Sequence, residues 1–166
     1  MIQKDLDRLF DEHAGALLKF VIMRTGDRAL AEDVVADTFE RALRKRSLFD
    51  RRRGTEKAWL YTIATNILRD GARRREIEER AYAAATAAAP ALVGGGDGGF
   101  ARLEARATVM EALEALSPEE REAVALRFGA DLTVPEMAKV LDQPLTTVEG
   151  RVYRALRKLR AELGED

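Results

Sequence analysis

The chain has 166 residues, enough for one medium domain or two small ones. Its formal charge is −1, so it does not bind polyanions through bulk charge, yet the charge is unevenly spread. With no Cys it has no disulfide framework or thiolate metal site, and its single His13 leaves little for transition-metal or His-based chemistry.

The N-terminal stretch MIQKDLDRLF has no signal-peptide pattern, and no apolar run approaches a membrane span. The expectation is a soluble, cytoplasmic protein without membrane insertion. The first helix is expected from about Lys4 to Arg24, marked by Leu6, Leu9, Phe10, Leu17, Leu18, Val21 and Ile22. His13 on that helix reads as structural. Thr25-Gly26-Asp27 ends it and caps the next. The second helix, about Arg28 to Arg46, buries Leu30, Val34, Val35, Phe39, Ala42 and Leu43. Asp33, Asp37 and Glu40 step by four and three along its outer face, with Glu32 beside them. Acids near the start and Arg41, Arg44, Lys45 and Arg46 near the end complement the helix dipole. The dipole does not explain why the acids share one stripe, so a basic partner surface remains open.

From Arg41 to Arg75 twelve Lys or Arg face three acids. This region holds the loop SLFDRRRGTE, with three consecutive Arg including Arg52, and a third helix from about Glu56 to Arg75. Leu60, Ile63, Ala64, Ile67 and Leu68 give its core face. Trp59, Thr62, Asn66, Arg69 and Arg73 share the opposite face. An aromatic, hydrogen-bonding groups and Arg in one row can stack on unpaired bases, read their edges and hold phosphates. The plainer readings are a core anchor for Trp59 and a solvated polar residue for Asn66.

The pattern decays from about Glu76. Ala81 to Ala89 is nearly all Ala, and Pro90 with Gly94, Gly95, Gly96, Gly98 and Gly99 reads as a flexible linker. Roughly twenty extended residues span on the order of 65 Å, enough to separate two DNA-contacting modules. Arg102 to Leu116 is helical. Ser117-Pro118-Glu119-Glu120 then starts a helix that buries Ala123, Val124, Leu126 and, as a further candidate, Phe128, and stops near Gly129.

The last stretch, Leu132 to Arg160, reads as a helix-turn-helix. Thr133, Pro135 and Glu136 start its first helix, and Val134, Met137, Ala138 and Leu141 form the apolar face. Asp142-Gln143-Pro144 breaks it. On the second helix Leu145, Val148, Val152, Ala155 or Leu156, and Leu159 are expected to be buried. Thr147, Arg151, Arg154 and Lys158 line an opposite basic face. Such a face suits a recognition helix in the DNA major groove, where Arg bonds guanine edges in pairs; the plain alternative is a solvated basic face. The fold class expected is all-α: two small helical domains, 1–78 and 102–166, joined by an Ala/Gly-rich linker, 79–101.

Four stretches carry a resemblance to a known family: AEDVVADTFERAL (Ala31–Leu43), LFDRRRGTEKAWLYTIATNILRDGARRR (Leu48–Arg75), LSPEEREAVALRF (Leu116–Phe128) and the helix-turn-helix. In this order and spacing the chain resembles the extracytoplasmic-function group of bacterial RNA polymerase sigma factors. The resemblance implies that the second helix, with Glu32, Asp33, Asp37 and Glu40, docks on a coiled coil of the polymerase largest subunit. It implies that Phe49, Arg52, Trp59, Tyr61, Thr62, Asn66, Arg69 and Arg73 recognise and melt the −10 promoter element, with Phe49 in the loop that receives a flipped base. Base flipping costs unstacking energy that a fitted pocket offsets. The helix-turn-helix, with Thr146, Thr147, Glu149, Arg151, Arg154 and Lys158, is implied to read the −35 element.

The chain departs from the family pattern in places: Ala36 stands where Gln is usual, Pro144 and Gly150 where Ser is common, and Glu149 where a base is common. Glu149 has two readings, a contact to cytosine N4 or a capping box with Thr146 that starts the helix two residues late. The partners implied are the polymerase core, including its flap, promoter DNA and an anti-sigma factor. No cofactor, metal or catalytic residue is expected. The competing function is a stand-alone helix-turn-helix regulator; an enzyme is a distant third, because the sequence offers no nucleophile–base pair, metal cluster or phosphate loop.

Overall fold

A computed structural model describes residues 2–85 and 108–164, which form helices and turns with no strand among them. Helix α1 spans Ile2–Thr25. Thr25 Oγ1 donates to the Val21 carbonyl at 2.7 Å, and Gly26 turns the chain with φ +74°, the left-handed region that favours glycine. Asp27 then accepts from the Leu30 N–H at 3.1 Å and caps α2, Arg28–Arg44. A 3₁₀ turn, Arg46–Leu48, and a loop lead to α3, Glu56–Ala85.

Helix α2 packs on both α1 and α3. Leu9, Leu17, Val21, Val34, Phe39, Leu60, Ile63 and Ile67 are buried between them. Each such side chain contributes about 1.5–3 kcal/mol through burial. The apolar faces read from the sequence therefore form the core, but Phe10 and Leu43 stay largely exposed. Helix α3 outruns its expected end at Arg75 by ten residues, all exposed. Glu, Arg and Ala favour helix there by their own propensity. Most of the expected linker, and the start of the helix expected from Arg102, lie outside the described residues.

The second lobe begins with α4, residues 108–114. Helix α5, Pro118–Val124, carries the full capping box: Ser117 Oγ accepts from Glu120 N–H at 3.2 Å, and Glu120 Oε1 accepts from Ser117 N–H at 3.3 Å. The chain then widens into a π-turn, Ala125–Gly129, closed by Ala130 N–H donating to the Ala125 carbonyl at 3.0 Å. This turn rotates Phe128 outward; it is half exposed rather than in the core. Helix α6, Val134–Leu141, repeats the box with Thr133 and Glu136, and Asp142 ends it at φ +51°. Helix α7, Leu145–Glu162, completes the helix-turn-helix.

Both helical bundles expected from the sequence are present, and in this structure they pack on each other. The π-turn and α5 lie on α1, and α6 lies on α3. One continuous apolar cluster joins Phe20 and Tyr61 of the first lobe to Leu126, Leu132, Met137 and Val148 of the second. Leu113, Leu116, Val124 and Ala155 form a smaller satellite core.

Candidate nucleic-acid interface

The acidic stripe stands where the helical spacing places it. Glu32, Asp33, Asp37 and Glu40 are all exposed on α2. Glu32 lies 3.6 Å from Arg28, and Glu40 is bonded to Arg44. Among the described residues Asp33 and Asp37 make no ion pair, and both line a groove between α2 and α3 that also holds Arg41, Asp70 and Arg74.

The loop after α2 brings Phe49 against Trp59, with ring centroids 5.2 Å apart. Trp59 is half-buried and packs on the core as well, so its anchoring and its aromatic presentation coexist. Asp50 Oδ1 accepts from the Arg52 N–H at 2.9 Å, forming the turn that holds the Arg51, Arg52 and Arg53 side chains exposed. Along α3, Asn66, Arg69 and Arg73 are exposed, while Thr62 Oγ1 donates to the Ala58 carbonyl at 3.0 Å.

Tyr61 corrects the expectation. Its side chain is 0% exposed, and its ring meets Phe20 edge-on at 5.4 Å. Two residues from Trp59 is about 200° around a helix, which turns Tyr61 inward. Burial pushes its phenol pKa upward, and the hydroxyl has no hydrogen-bond partner among the described residues. In this arrangement Tyr61 is core, not DNA surface.

Beneath the loop lies a charged cluster that the sequence did not single out. Arg46 bonds Asp5 at 2.8 Å and Glu56 at 2.6 Å, and Arg8 bonds Asp5 at 2.8 Å and Glu56 at 3.1 Å. The bonds from Arg8 and Arg46 hold the Asp5 carboxyl below its usual range. Burial pushes the Glu56 carboxyl up, but the bonds from Arg46 and Arg8 outweigh it and lower its pKa too. Both carboxyls thus bind protons less readily folded than unfolded. Their stabilisation is complete above the ordinary value of 4.5 for Glu and is lost as pH falls through the lowered folded values. Thermal melts taken from about pH 6 down to 3 should show that loss, and Glu56→Gln should make the fall shallower.

On α7, the helix starts at Leu145 with Pro144 at the cap position and no side-chain cap bond. The Thr146–Glu149 capping box does not form. Thr146, Thr147, Glu149 and Arg154 are exposed, and Val148 and Ala155 are buried. Arg154 lies over Gly150, where a β-carbon would stand 3.1 Å from its Nη1. Arg151 is bonded to Gln143 across the turn. Lys158 sits 2.7 Å from Glu120 Oε1, and this bond lowers the Glu120 pKa. Leu145 and Tyr153, on the same helix, are exposed apolar groups.

The two basic faces meet at the lobe boundary. Arg24 and Arg69 of the first lobe line one cleft with Glu122, Gln143 and Arg151 of the second. Glu122 is 7% exposed and accepts from Arg24 Nε at 3.3 Å and Arg69 Nη2 at 3.4 Å. Arg121 Nε donates to the Met23 carbonyl at 2.7 Å, and Lys57 reaches the Asp131 carbonyl at 3.3 Å. Gly129 presses on α1: a β-carbon there would stand 2.8 Å from Met23 Sδ and 3.4 Å from Phe20 Cα.

Comparison with known proteins places this geometry. The Sigma-70 region 2 family model matches residues 9–77, and the Sigma-70, region 4 model matches residues 106–159. The chain is 31% identical over 157 residues to the ECF RNA polymerase sigma factor SigL of Mycobacterium tuberculosis, covering 95% of this chain and 88% of SigL. It is 29% identical over 159 residues to ECF sigma factor BldN of Streptomyces coelicolor, covering 96% of this chain but only 60% of BldN. Among solved structures, the sigma factor RpoE of Bartonella quintana, in complex with the anti-sigma factor NepR, superposes with a TM-score of 0.79 at 27% identity, over 98% of this chain and 99% of RpoE. The chain belongs to the sigma-70 family of RNA polymerase sigma factors, in its extracytoplasmic-function group.

Proposed function

We propose that this sigma factor docks on the polymerase core through Asp33 and Asp37, opens the −10 element at the Phe49–Trp59 pair and the Asn66 row, and reads the −35 element from α7. The observation that carries this is the set of three exposed faces on one chain. A stand-alone helix-turn-helix regulator uses only the last of them. An acidic stripe on α2 suits a basic partner. The tilted contact of Phe49 with Trp59, and exposed Asn66 further along α3, suit unpaired bases, since every base has a π-face. With no cap to hold it, exposed Glu149 is left to face DNA, where an acid accepts from cytosine N4. The protein does no covalent chemistry in this role and works in the cytoplasm beside the polymerase. Run-off transcription with purified core polymerase and a promoter library tests the reading: discrete start sites that vanish without this chain are expected, and identical initiation with and without it would end the proposal.

An anti-sigma factor is part of the proposal. Support comes from the Bartonella quintana RpoE structure, which is held by one. Co-expression with a candidate inhibitor should abolish run-off activity.

Asn66→Ala should lower promoter opening about tenfold while leaving binding to duplex −35 DNA unchanged, because Asn66 projects from α3 and not from α7. Permanganate reactivity of unpaired thymines reads the first step and a duplex gel shift the second. Equal losses in both would assign Asn66 to general stability.

A further inference from the structure

We infer that Arg46 is a positioning residue for −10 recognition: it sets the spacing of Phe49 and Trp59 and holds a hydrogen-bond donor in reserve for the base that enters beside them. This rests on the promoter-melting reading above and names a residue that reading does not use.

Arg46 opens the 3₁₀ turn that leads into the loop. Its guanidinium lies 5.2 Å from the Phe49 centroid and 5.8 Å from the Trp59 centroid, so one planar cation touches both rings. Its edge is committed elsewhere. Nε donates to Asp5 on α1, and Nη2 donates to Glu56 at the start of α3. One side chain therefore ties α1, the loop and α3 together at the point where the two aromatics meet. The third nitrogen, Nη1, is buried and has no hydrogen-bond partner among the described residues. Leaving a buried donor unpaired is costly, and native structures do it rarely. Structural anchoring alone needs only the two ion pairs and the packing.

The two rings touch at a tilt, so a base stacks on an outer face of the pair rather than between them, and cation–π contact strengthens when water is excluded. Every nucleobase carries edge acceptors: O2 of pyrimidines, N7 of purines, O6 of guanine and O4 of thymine. When a base enters and the contacts that bury Nη1 open, it brings such an acceptor to a donor that otherwise lacks one. Because the acceptors differ in position, the reserve donor favours some bases over others.

The test uses the full chain with core polymerase on a promoter that supports run-off transcription, each −10 position carrying all four bases in turn. Arg46→Met keeps length and packing but removes the cation and donor; Arg46→Lys keeps a charge for Asp5 and Glu56 but not the plane. The wild type should discriminate between bases at one −10 position by about tenfold or more. Arg46→Met should lose that discrimination there and keep wild-type preferences elsewhere. Arg46→Lys should restore thermal stability without restoring the preference. Lost opening at all positions together, rescued by Lys, would overturn the inference in favour of a purely structural anchor. Wild-type preferences in Arg46→Met would overturn it as well. A wild type without any −10 base preference would defeat the promoter-melting reading, and the role of Arg46 with it.

Discussion

Glu122→Arg is expected to part the two lobes. Glu122 is nearly buried between Arg24 and Arg69, so the change removes two ion pairs and sets a third guanidinium between the first two. Breaking a buried pair by removing one partner costs about 3–5 kcal/mol, but Arg69 is 42% exposed and water screens part of this. About 1.5–3 kcal/mol is a fair expectation, or a ten- to hundredfold shift toward lobes apart. Small-angle scattering of the free chain should show a larger radius of gyration. The freed Arg69 should bind single-stranded −10 DNA more tightly, because its guanidinium no longer faces a carboxylate. Gly129→Val attacks the same boundary without charge, by driving a branched side chain against Met23 and Phe20, and should give the same expansion. Unchanged scattering from both variants would mean that these contacts do not hold the lobes together. The same arrangement places Arg69 of the −10 row and Arg151 of α7 in one cleft, so a duplex cannot lie along both while it stays closed.

What the sequence disclosed follows from how local the cause is. The two capping boxes, Ser117 with Glu120 and Thr133 with Glu136, lie within four residues, and both formed as read. The apolar faces of α1, α2 and α3 are periodic, and most of them are buried. The π-turn at Ala125–Gly129 was not legible, because what Gly129 fits against is the backbone of Phe20, over a hundred residues away. The same distance hid Glu122, which reads as one acid among several at the start of a helix. Tyr61 is buried in this arrangement, and the sequence carries a signal for it: Tyr61, Ala64 and Leu68 step by three and four, the spacing of a buried line. The W-L-Y resemblance points the other way, to the DNA surface. In the sequence Arg46 is one of several bases that complement the α2 dipole, and only the fold shows that it faces Asp5, Glu56 and two rings.

Asp37→Arg is expected to cut affinity for core polymerase by tenfold or more and to leave the fold intact. The reason lies in how the four acids of the stripe are occupied. Glu32 and Glu40 face Arg28 and Arg44 one turn away, so their charge is already partly spent within α2. Asp33 and Asp37 make no ion pair among the described residues and border the α2–α3 groove, where Asp70, Arg41, Arg74 and Arg75 also stand, so their carboxylates are open to a partner. Reversing an interfacial charge turns attraction into repulsion and leaves a basic partner group unpaired, which costs about 2–5 kcal/mol when the contact is desolvated. The same change at an exposed position moves folding stability by only about 0.5 kcal/mol. Fluorescence anisotropy against labelled core polymerase, with a thermal melt alongside, separates these effects. Glu40→Arg should weaken core binding less than Asp37→Arg, since much of its charge already faces Arg44. Equal losses for the two variants would show that the stripe acts through summed charge, and unchanged affinity for Asp37→Arg would remove α2 as the docking face.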